Sequence, residues 1–129
     1  MNAIQNLRDG LRPPYSGQHN HAWSDGLAMR VAPIGVVAHG DIELARKMTI
    51  ADGQVSHSGE GIHSGVVIAV AIAAAMDGAS NIESFEAALQ SIPEDSWSYR
   101  LLAVAKNIVD ENRSLDRKST RLNSSHLVI

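Results

Sequence analysis

Polar side chains of the kinds that do chemistry cluster at two breaks in this sequence. The first group comprises His19, His21, Ser24, Asp25 and Arg30, and the second comprises Ser56, His57, Ser58, Glu60 and His63. Both groups lie at the ends of predicted helices. These two breaks are therefore the candidate positions for a binding or catalytic site.

Two kinds of chemistry are open to these groups. The candidate metal ligands are His19, His21, His57 and His63. Imidazole is a common ligand for zinc and similar ions. A His-x-His pair in a loop is weak evidence for a metal site, however, and we favour the interpretation that these are surface histidines. Ser56 and His57 could act as nucleophile and base. Adjacent residues rarely point at each other, however, and no nucleophile-elbow glycine pattern surrounds the serine.

The segment Trp23-Ser24-Asp25-Gly26 combines an aromatic face, a hydroxyl and a glycine directly before a predicted helix. Such a loop can hold the phosphates of a nucleotide at the helix N-terminus and stack its base or sugar. It can equally be an ordinary turn in which Asp25 is the N-cap of the helix. Spacing alone does not separate these two interpretations.

Arg30 lies between apolar neighbours near the start of that helix, next to Met29 and Val31. A guanidinium in this position must extend to solvent or find hydrogen-bond acceptors. We favour helix-end carbonyls or a carboxylate as its partners over a bound ligand.

Composition and charge narrow the class of protein. A chain of 129 residues, 44% hydrophobic and only 4% aromatic, favours one all-α domain with a core of small side chains. The formal net charge of -3 supplies no basic surface for nucleic acid. Cysteine and an apolar signal peptide are both absent, so we expect a cytoplasmic protein. The longest apolar run, residues 66–76, is about half of the ~20 residues that a membrane-spanning helix needs.

Hydrophobic spacing predicts the helices. They cover residues 1–10, 27–38, 41–56, 62–76, 82–92 and 97–111. Asp41 is a predicted N-cap, and Ser80 with Glu83 has the spacing of a capping box. No segment alternates apolar and polar residues as a half-buried strand would. The predicted fold is an all-α orthogonal bundle of about five or six helices that forms part of a domain.

The last predicted helix carries an apolar stripe along one face. A stripe on this helix is predicted to be buried, and it consists of Trp97, Leu101, Val104, Ala105, Ile108 and Val109. The helix is expected to fade after Glu111.

Residues 116–126 look like the translation of a sequencing adapter read past the end of an insert, so we expect residues 116–129 to be non-native and disordered. The predicted domain is then residues 1–115.

The segment from Ser24 to Gly35, SDGLAMRVAPIG, resembles a signature of the ADP-ribosylglycohydrolase family, Gly-Asn-Gly-x-x-Met-Arg-x-x-Pro. Gly40-Asp41 at the next helix start, Ser56-His57 after it and residues 92–97 continue the likeness. Together the similarity covers about residues 10–112.

This resemblance implies an all-α fold with two Mg²⁺ ions, sometimes Mn²⁺, in a cleft. The implied reaction is hydrolysis of the glycosidic bond between ADP-ribose and an acceptor side chain, with the metals orienting the ribose and the attacking water. It also implies that Trp23, Ser24, Asp25 and Gly26 line the ADP-ribose cleft and that His57 lies near the ribose or phosphates. Arg30 matches the signature as an anchor of the loop.

The sequence departs from the family pattern in the signature loop and in the motifs that bind the metals. Ser24 replaces a glycine, and Asp25 replaces an asparagine, whose amide could donate hydrogen bonds that a carboxylate cannot. The family's metal motifs, Thr-Asp-Asp and Asp-x-Asp-Thr, do not occur in the chain. We therefore expect no metal ligands in this chain, which would be an inactive central fragment of the enzyme. The alternative is a non-catalytic helical module that binds a ligand or a partner.

Overall fold

The computed structural model describes residues 2–126, and every regular element in that range is helical. The helices are α1 (Asn2–Arg8), α2 (Gly26–Arg30), α3 (Ala32–Ala38), α4 (Ile42–Gly53), α5 (Gly59–Met76), α6 (Asn81–Gln90) and α7 (Trp97–His126). A short 3-10 helix, Tyr15–Gly17, lies between α1 and α2. The all-α prediction is confirmed for the described part of the chain.

Two helix starts follow the predicted capping chemistry. The carboxylate of Asp41 accepts a hydrogen bond from the backbone N–H of Leu44 at 2.9 Å and so caps α4. At α6 the Ser80 hydroxyl accepts from the backbone N–H of Glu83, and the Glu83 carboxylate accepts from the backbone N–H of Ser80 at 2.8 Å. Each contact satisfies an N–H group that has no partner within its own helix. Both predicted caps are confirmed.

The region predicted as one helix over residues 27–38 is in fact two helices, α2 and α3, which separate at Val31. The reason is Pro33, which has no N–H to donate to an earlier carbonyl. The break at Val31 places this proline in the first turn of α3, where an N–H would have no helical partner. Both α2 and α3 pack on α5.

Helix α5 is the centre of the fold, and α2, α3, α4 and α6 all pack on it. Its buried positions include Gly61, Gly65, Ala69 and Ala73, which let neighbouring helices approach closely. A Cβ atom on Gly65 would lie 2.6 Å from Cγ of the fully buried Leu27, so Leu27 occupies the space that a side chain at position 65 would need. By length and composition α5 could cross a membrane, but its packing on four helices is that of a core helix.

A carboxylate of α5 caps the start of helix α7. Glu60, in the first turn of α5, accepts hydrogen bonds from the backbone N–H groups of Trp97 and Ser98 at 2.9 and 3.0 Å. It also accepts from the Ser98 hydroxyl at 2.6 Å. Burial alone would raise the pKa of Glu60, but these hydrogen bonds outweigh burial and lower it. Glu60 therefore holds the N-terminus of α7 as an ionised cap.

The prediction of a buried stripe on α7 is wrong. Leu101 is 67% exposed and Val104 is 56% exposed, and the other members of the stripe are exposed as well. The described elements contact α7 mainly from α5 and α6, and none of them covers this face. Hydrophobic spacing identified the apolar face correctly, but it could not tell what lies against that face.

The end of α7 also differs from the prediction. The helix was expected to fade after Glu111 and the tail to be disordered, yet α7 continues through residues 116–126. No glycine or proline interrupts residues 97–126, so the local sequence opposes no part of the helix. Residues 107–122 are all exposed. The non-native origin of the tail stays a prediction, and residues 127–129 lie outside the described range.

The Glu60 cap leads to a pH-dependent stability. In Glu60→Gln, one acceptor oxygen becomes an N–H₂ donor, so we expect the free energy of unfolding at pH 7 to fall by roughly 1–3 kcal/mol. Because the folded pKa of Glu60 is lowered, its stabilisation is present above the unfolded value near 4.5 and is lost as the pH falls through the folded value. Urea denaturation at several pH values should show the two proteins converging at acid pH.

The matched control is Glu94→Gln, which neutralises an exposed carboxylate just before α7. This variant should keep the wild-type stability within about 0.5 kcal/mol. Equal losses in both variants, or a Glu60→Gln loss that does not change with pH, would contradict the capping role.

Candidate functional site

The candidate site is built around His57, in the turn that joins α4 to α5. The backbone N–H of His57 donates to the carbonyl of Gly53 at 2.7 Å, which tightens the chain directly after α4. Only 7% of the His57 surface is exposed. The interpretation of this histidine as a surface residue is therefore wrong. It is buried because the loop before α2 packs over the turn.

Backbone contacts hold that loop in place. The N–H of Ser58 donates to the carbonyl of Ala22 at 3.1 Å, and the His19 ring nitrogen Nε2 contacts the carbonyl of Ser56 at 2.9 Å. Gly61, in the first turn of α5, allows the close approach. A Cβ atom there would overlap the carbonyl of Ala22 and would lie 3.1 Å from the carbonyl oxygen of Ser24.

The result is a side-chain contact between the two breaks. The Ser24 hydroxyl lies 3.2 Å from Nε2 of His57, within hydrogen-bonding distance. Gly26, at the start of α2, also faces the ring, since a Cβ atom added to it would be 3.2 Å from the same nitrogen. Two segments that are 33 positions apart in sequence thus form one surface.

The remaining predicted residues of the loop lie beside this pair. Trp23 is 63% exposed, and its indole lies against Gly59, where an added Cβ would be 2.6 Å from Nε1. Asp25 occupies the N-cap position of α2, but its side chain accepts no hydrogen bond from that helix and is exposed. The structure brings all five predicted ligand-binding residues to one surface, and their role in binding stays a prediction.

Arg30 has the partners that the sequence suggested. Its Nε donates to the carboxylate of Asp52 at 2.9 Å, and its Nη2 lies 3.4 Å from the backbone carbonyl of the same residue. Nη2 also donates to the hydroxyl of Ser56 at 3.1 Å. The prediction of a carboxylate and a helix-end carbonyl is confirmed. Arg30 joins α2 to the last turn of α4 and to the residue before His57.

Ser56 and His57 do contact each other, contrary to the expectation for adjacent residues. The Ser56 hydroxyl lies 2.8 Å from Nδ1 of His57. The turn after α4 directs both side chains toward α2, where Arg30 holds the serine. His57 consequently has a serine hydroxyl at each ring nitrogen, Ser56 at Nδ1 and Ser24 at Nε2.

The electrostatic environment keeps the imidazole neutral. Burial lowers the pKa of His57, and the nearby positive charge of Arg30 lowers it further, with a smaller contribution from His19. The carboxylate of Asp52 acts in the opposite direction but does not compensate. Serine hydrolases use a carboxylate to stabilise the imidazolium that forms during catalysis. Here the cation disfavours an imidazolium, so the arrangement suits hydrogen bonding better than activation of Ser24 as a nucleophile.

The four candidate histidines do not form a metal site. Within residues 2–126, no group of three or more His, Cys, Asp or Glu side chains is placed to hold a metal ion. His63 instead lies with its Nδ1 3.5 Å from the carboxylate of Glu60. The described residues do not fit a metal centre, and we assign no chemical step to one here.

Sequence reasoning missed Asp52 and the connection from Arg30 through Ser56 to His57. Asp52 is in the last turn of α4, one helical turn before Ser56, and this spacing was the available signal. A groove between α6 and α7 was also missed. Its volume is about 530 Å³, and its apolar lining includes Ile82, Phe85 and Val109.

Comparison with known proteins identifies the class. The family model described as ADP-ribosylglycohydrolase matches residues 1–128. The chain therefore belongs to the ADP-ribosylglycohydrolase family.

A more particular comparison gives a relative from Archaeoglobus fulgidus, named only as an uncharacterized protein. It is 37% identical over 93 residues, which is 70% of this chain. The matched region is 29% of the relative, so the chain spans less than a third of that protein's length. No solved structure gives a significant match.

Gly61→Ala tests the close approach that forms the site. An alanine in a helix normally stabilises by up to ~1 kcal/mol over glycine, but here its methyl group would overlap the carbonyl of Ala22. We expect a net loss of roughly 1–2 kcal/mol in the free energy of unfolding, measured by urea denaturation.

Ser64→Ala is the control, because the Ser64 hydroxyl bonds only within α5, to the carbonyl of Gly61 at 2.9 Å. Its stability should change by less than about 0.5 kcal/mol. A gain in stability for Gly61→Ala would show that the loop does not pack on α5 as described.

Proposed function

We propose that this chain forms part of the ADP-ribose cleft of a hydrolase that cleaves the glycosidic bond between ADP-ribose and an acceptor. The observation that carries the proposal is the contact between Ser24 and His57, made in a chain of the ADP-ribosylglycohydrolase family. It joins the signature loop to the histidine that the family resemblance assigns to the ribose or phosphates.

The surface has the chemistry that such a ligand needs. Trp23 offers an exposed aromatic face on which a base or sugar can stack. The Ser24 hydroxyl, which the neutral His57 ring holds through Nε2, offers a hydrogen-bonding group for ribose hydroxyls or phosphate oxygens. In this proposal Asp25 and Gly26 complete the lining.

The proposed parent enzyme is metal-dependent, with two Mg²⁺ or Mn²⁺ ions. The described residues do not supply a metal centre, so residues outside this chain would hold the ions. It follows from the proposal that this chain alone binds ADP-ribose without hydrolysing an ADP-ribosylated substrate.

Calorimetric titration of the 129-residue chain with ADP-ribose tests the proposal. We expect binding that does not depend on added Mg²⁺. His57→Ala and Ser24→Ala should each weaken it about ten-fold, because the first removes the ring that holds the Ser24 hydroxyl and the second removes that hydroxyl itself. Incubation with ADP-ribosyl-arginine, with and without Mg²⁺, should release no ADP-ribose.

Ser58→Ala is the matched control, since it removes a serine hydroxyl next to His57 that makes no capping hydrogen bond. Its affinity should equal that of the wild type. Absence of binding at millimolar ADP-ribose, or affinities that both site variants leave unchanged, would contradict the proposed cleft and would favour a helical interaction module.

A further inference from the structure

The hydrogen bonds around His57 have a direction that starts at Arg30. A guanidinium is always protonated and can only donate, so Nη2 donates to the Ser56 hydroxyl oxygen at 3.1 Å. The hydroxyl has one proton of its own. The acceptor within reach is Nδ1 of His57 at 2.8 Å. Polarised by the cation, this hydroxyl is a better donor and a poorer acceptor for a second hydrogen bond.

A donor at Nδ1 decides the tautomer of the ring. A neutral imidazole carries its proton on one nitrogen only. If Nδ1 accepts from Ser56, the proton is on Nε2, which then donates to the Ser24 hydroxyl at 3.2 Å. The hydroxyl proton of Ser24 is left to point away from the ring, and Ser24 is exposed to solvent.

We propose that Arg30 and Ser56 are positioning residues that hold His57 in its Nε2–H tautomer, so that Ser24 presents a hydrogen-bond donor to the ligand. The direction of donation runs from Arg30 to Ser56, to His57, to Ser24 and then to an acceptor oxygen. Phosphate and ribose oxygens are such acceptors. This inference rests on the proposed function in one respect, which is the identity of the ligand.

The surrounding charges are consistent with this arrangement. The groups that face His57 are Arg30 from α2, Asp52 from α4 and His19 from the loop before α2. Asp52 pairs with the Nε of Arg30 at 2.9 Å and so fixes the guanidinium with Nη2 toward Ser56. Burial and the Arg30 charge lower the pKa of His57, which keeps a single ring proton at neutral pH.

Nitrogen NMR of the histidine rings reads the tautomer directly. The ligand-free 129-residue chain, labelled with ¹⁵N-histidine, is measured at about pH 8, where a histidine of lowered pKa is neutral. His57→Gln assigns the signal among the six histidines. We expect a pyridine-type shift at Nδ1 and a pyrrole-type shift at Nε2. The reverse pattern in the wild type would overturn the proposal without any variant.

Variants then test the positioning residues. Ser56→Ala and Arg30→Met should each move both nitrogen shifts toward intermediate values, because the ring exchanges between tautomers when its fixed donor is lost. Ser56→Thr keeps a hydroxyl and should restore the wild-type pattern, and Ser58→Ala should not change it. Shifts unchanged in both Ser56→Ala and Arg30→Met would overturn the roles of these residues.

The test separates this inference from the proposed function, since it needs no ligand. An Nε2–H tautomer in a chain that fails to bind ADP-ribose would refute the proposed function and leave the positioning roles intact. Binding of ADP-ribose by a chain whose His57 carries its proton on Nδ1 would do the reverse.

Discussion

The packing of small residues on α5 is the constraint on which the rest of the structure depends. Leu27 fills the space above Gly65, and the loop carrying Ser24 passes over Gly61. A larger side chain at either position would push α2 or its loop away from α5. Because α4 and α6 also pack on α5, this one helix fixes the relative positions of the loop before α2 and the turn after α4. The site is a consequence of that close packing.

The second level of organisation is polar. Arg30 connects α2 with Asp52 and Ser56, and Ser56 contacts His57, which in turn contacts Ser24. The ion pair itself is partly exposed, so it contributes little to stability. Its main effect is geometric, since it orients a cation toward the serine beside a buried imidazole. The buried His57 ring in turn contacts the exposed Ser24 through Nε2, so the polar connection extends from Arg30 to the loop before α2.

Much of the fold was predictable from sequence because it depends on local signals. The caps at Asp41 and Ser80 and the nearly continuous apolar sequence of α5 are local signals, and the structure confirms the helices that they predict. The division between α2 and α3 depends on Pro33, and the prediction of a single helix over residues 27–38 did not allow for it. The exposed stripe of α7 was beyond prediction, because periodicity reports an apolar face and not its partner.

The candidate site was predictable to a lesser degree. The signature loop suggested Trp23, Ser24, Asp25 and Gly26, whose role in binding stays a prediction. The partners of Arg30 followed from the cost of leaving a guanidinium without acceptors. The contact of Ser56 with His57 could not be predicted, because it depends on how one turn is directed by a residue from another helix. Long-range geometry of this kind requires the packed structure.

The central claim is that the loop before α2 and the turn after α4 form one ligand surface. Amide chemical shifts of the ¹⁵N-labelled 129-residue chain, followed during addition of ADP-ribose, test it most directly. The account predicts that the largest changes occur at residues 23–26 and at His57, while Ile82, Phe85 and Val109 in the groove between α6 and α7 stay constant. Changes confined to that groove, with the loop and the turn unaffected, would contradict it.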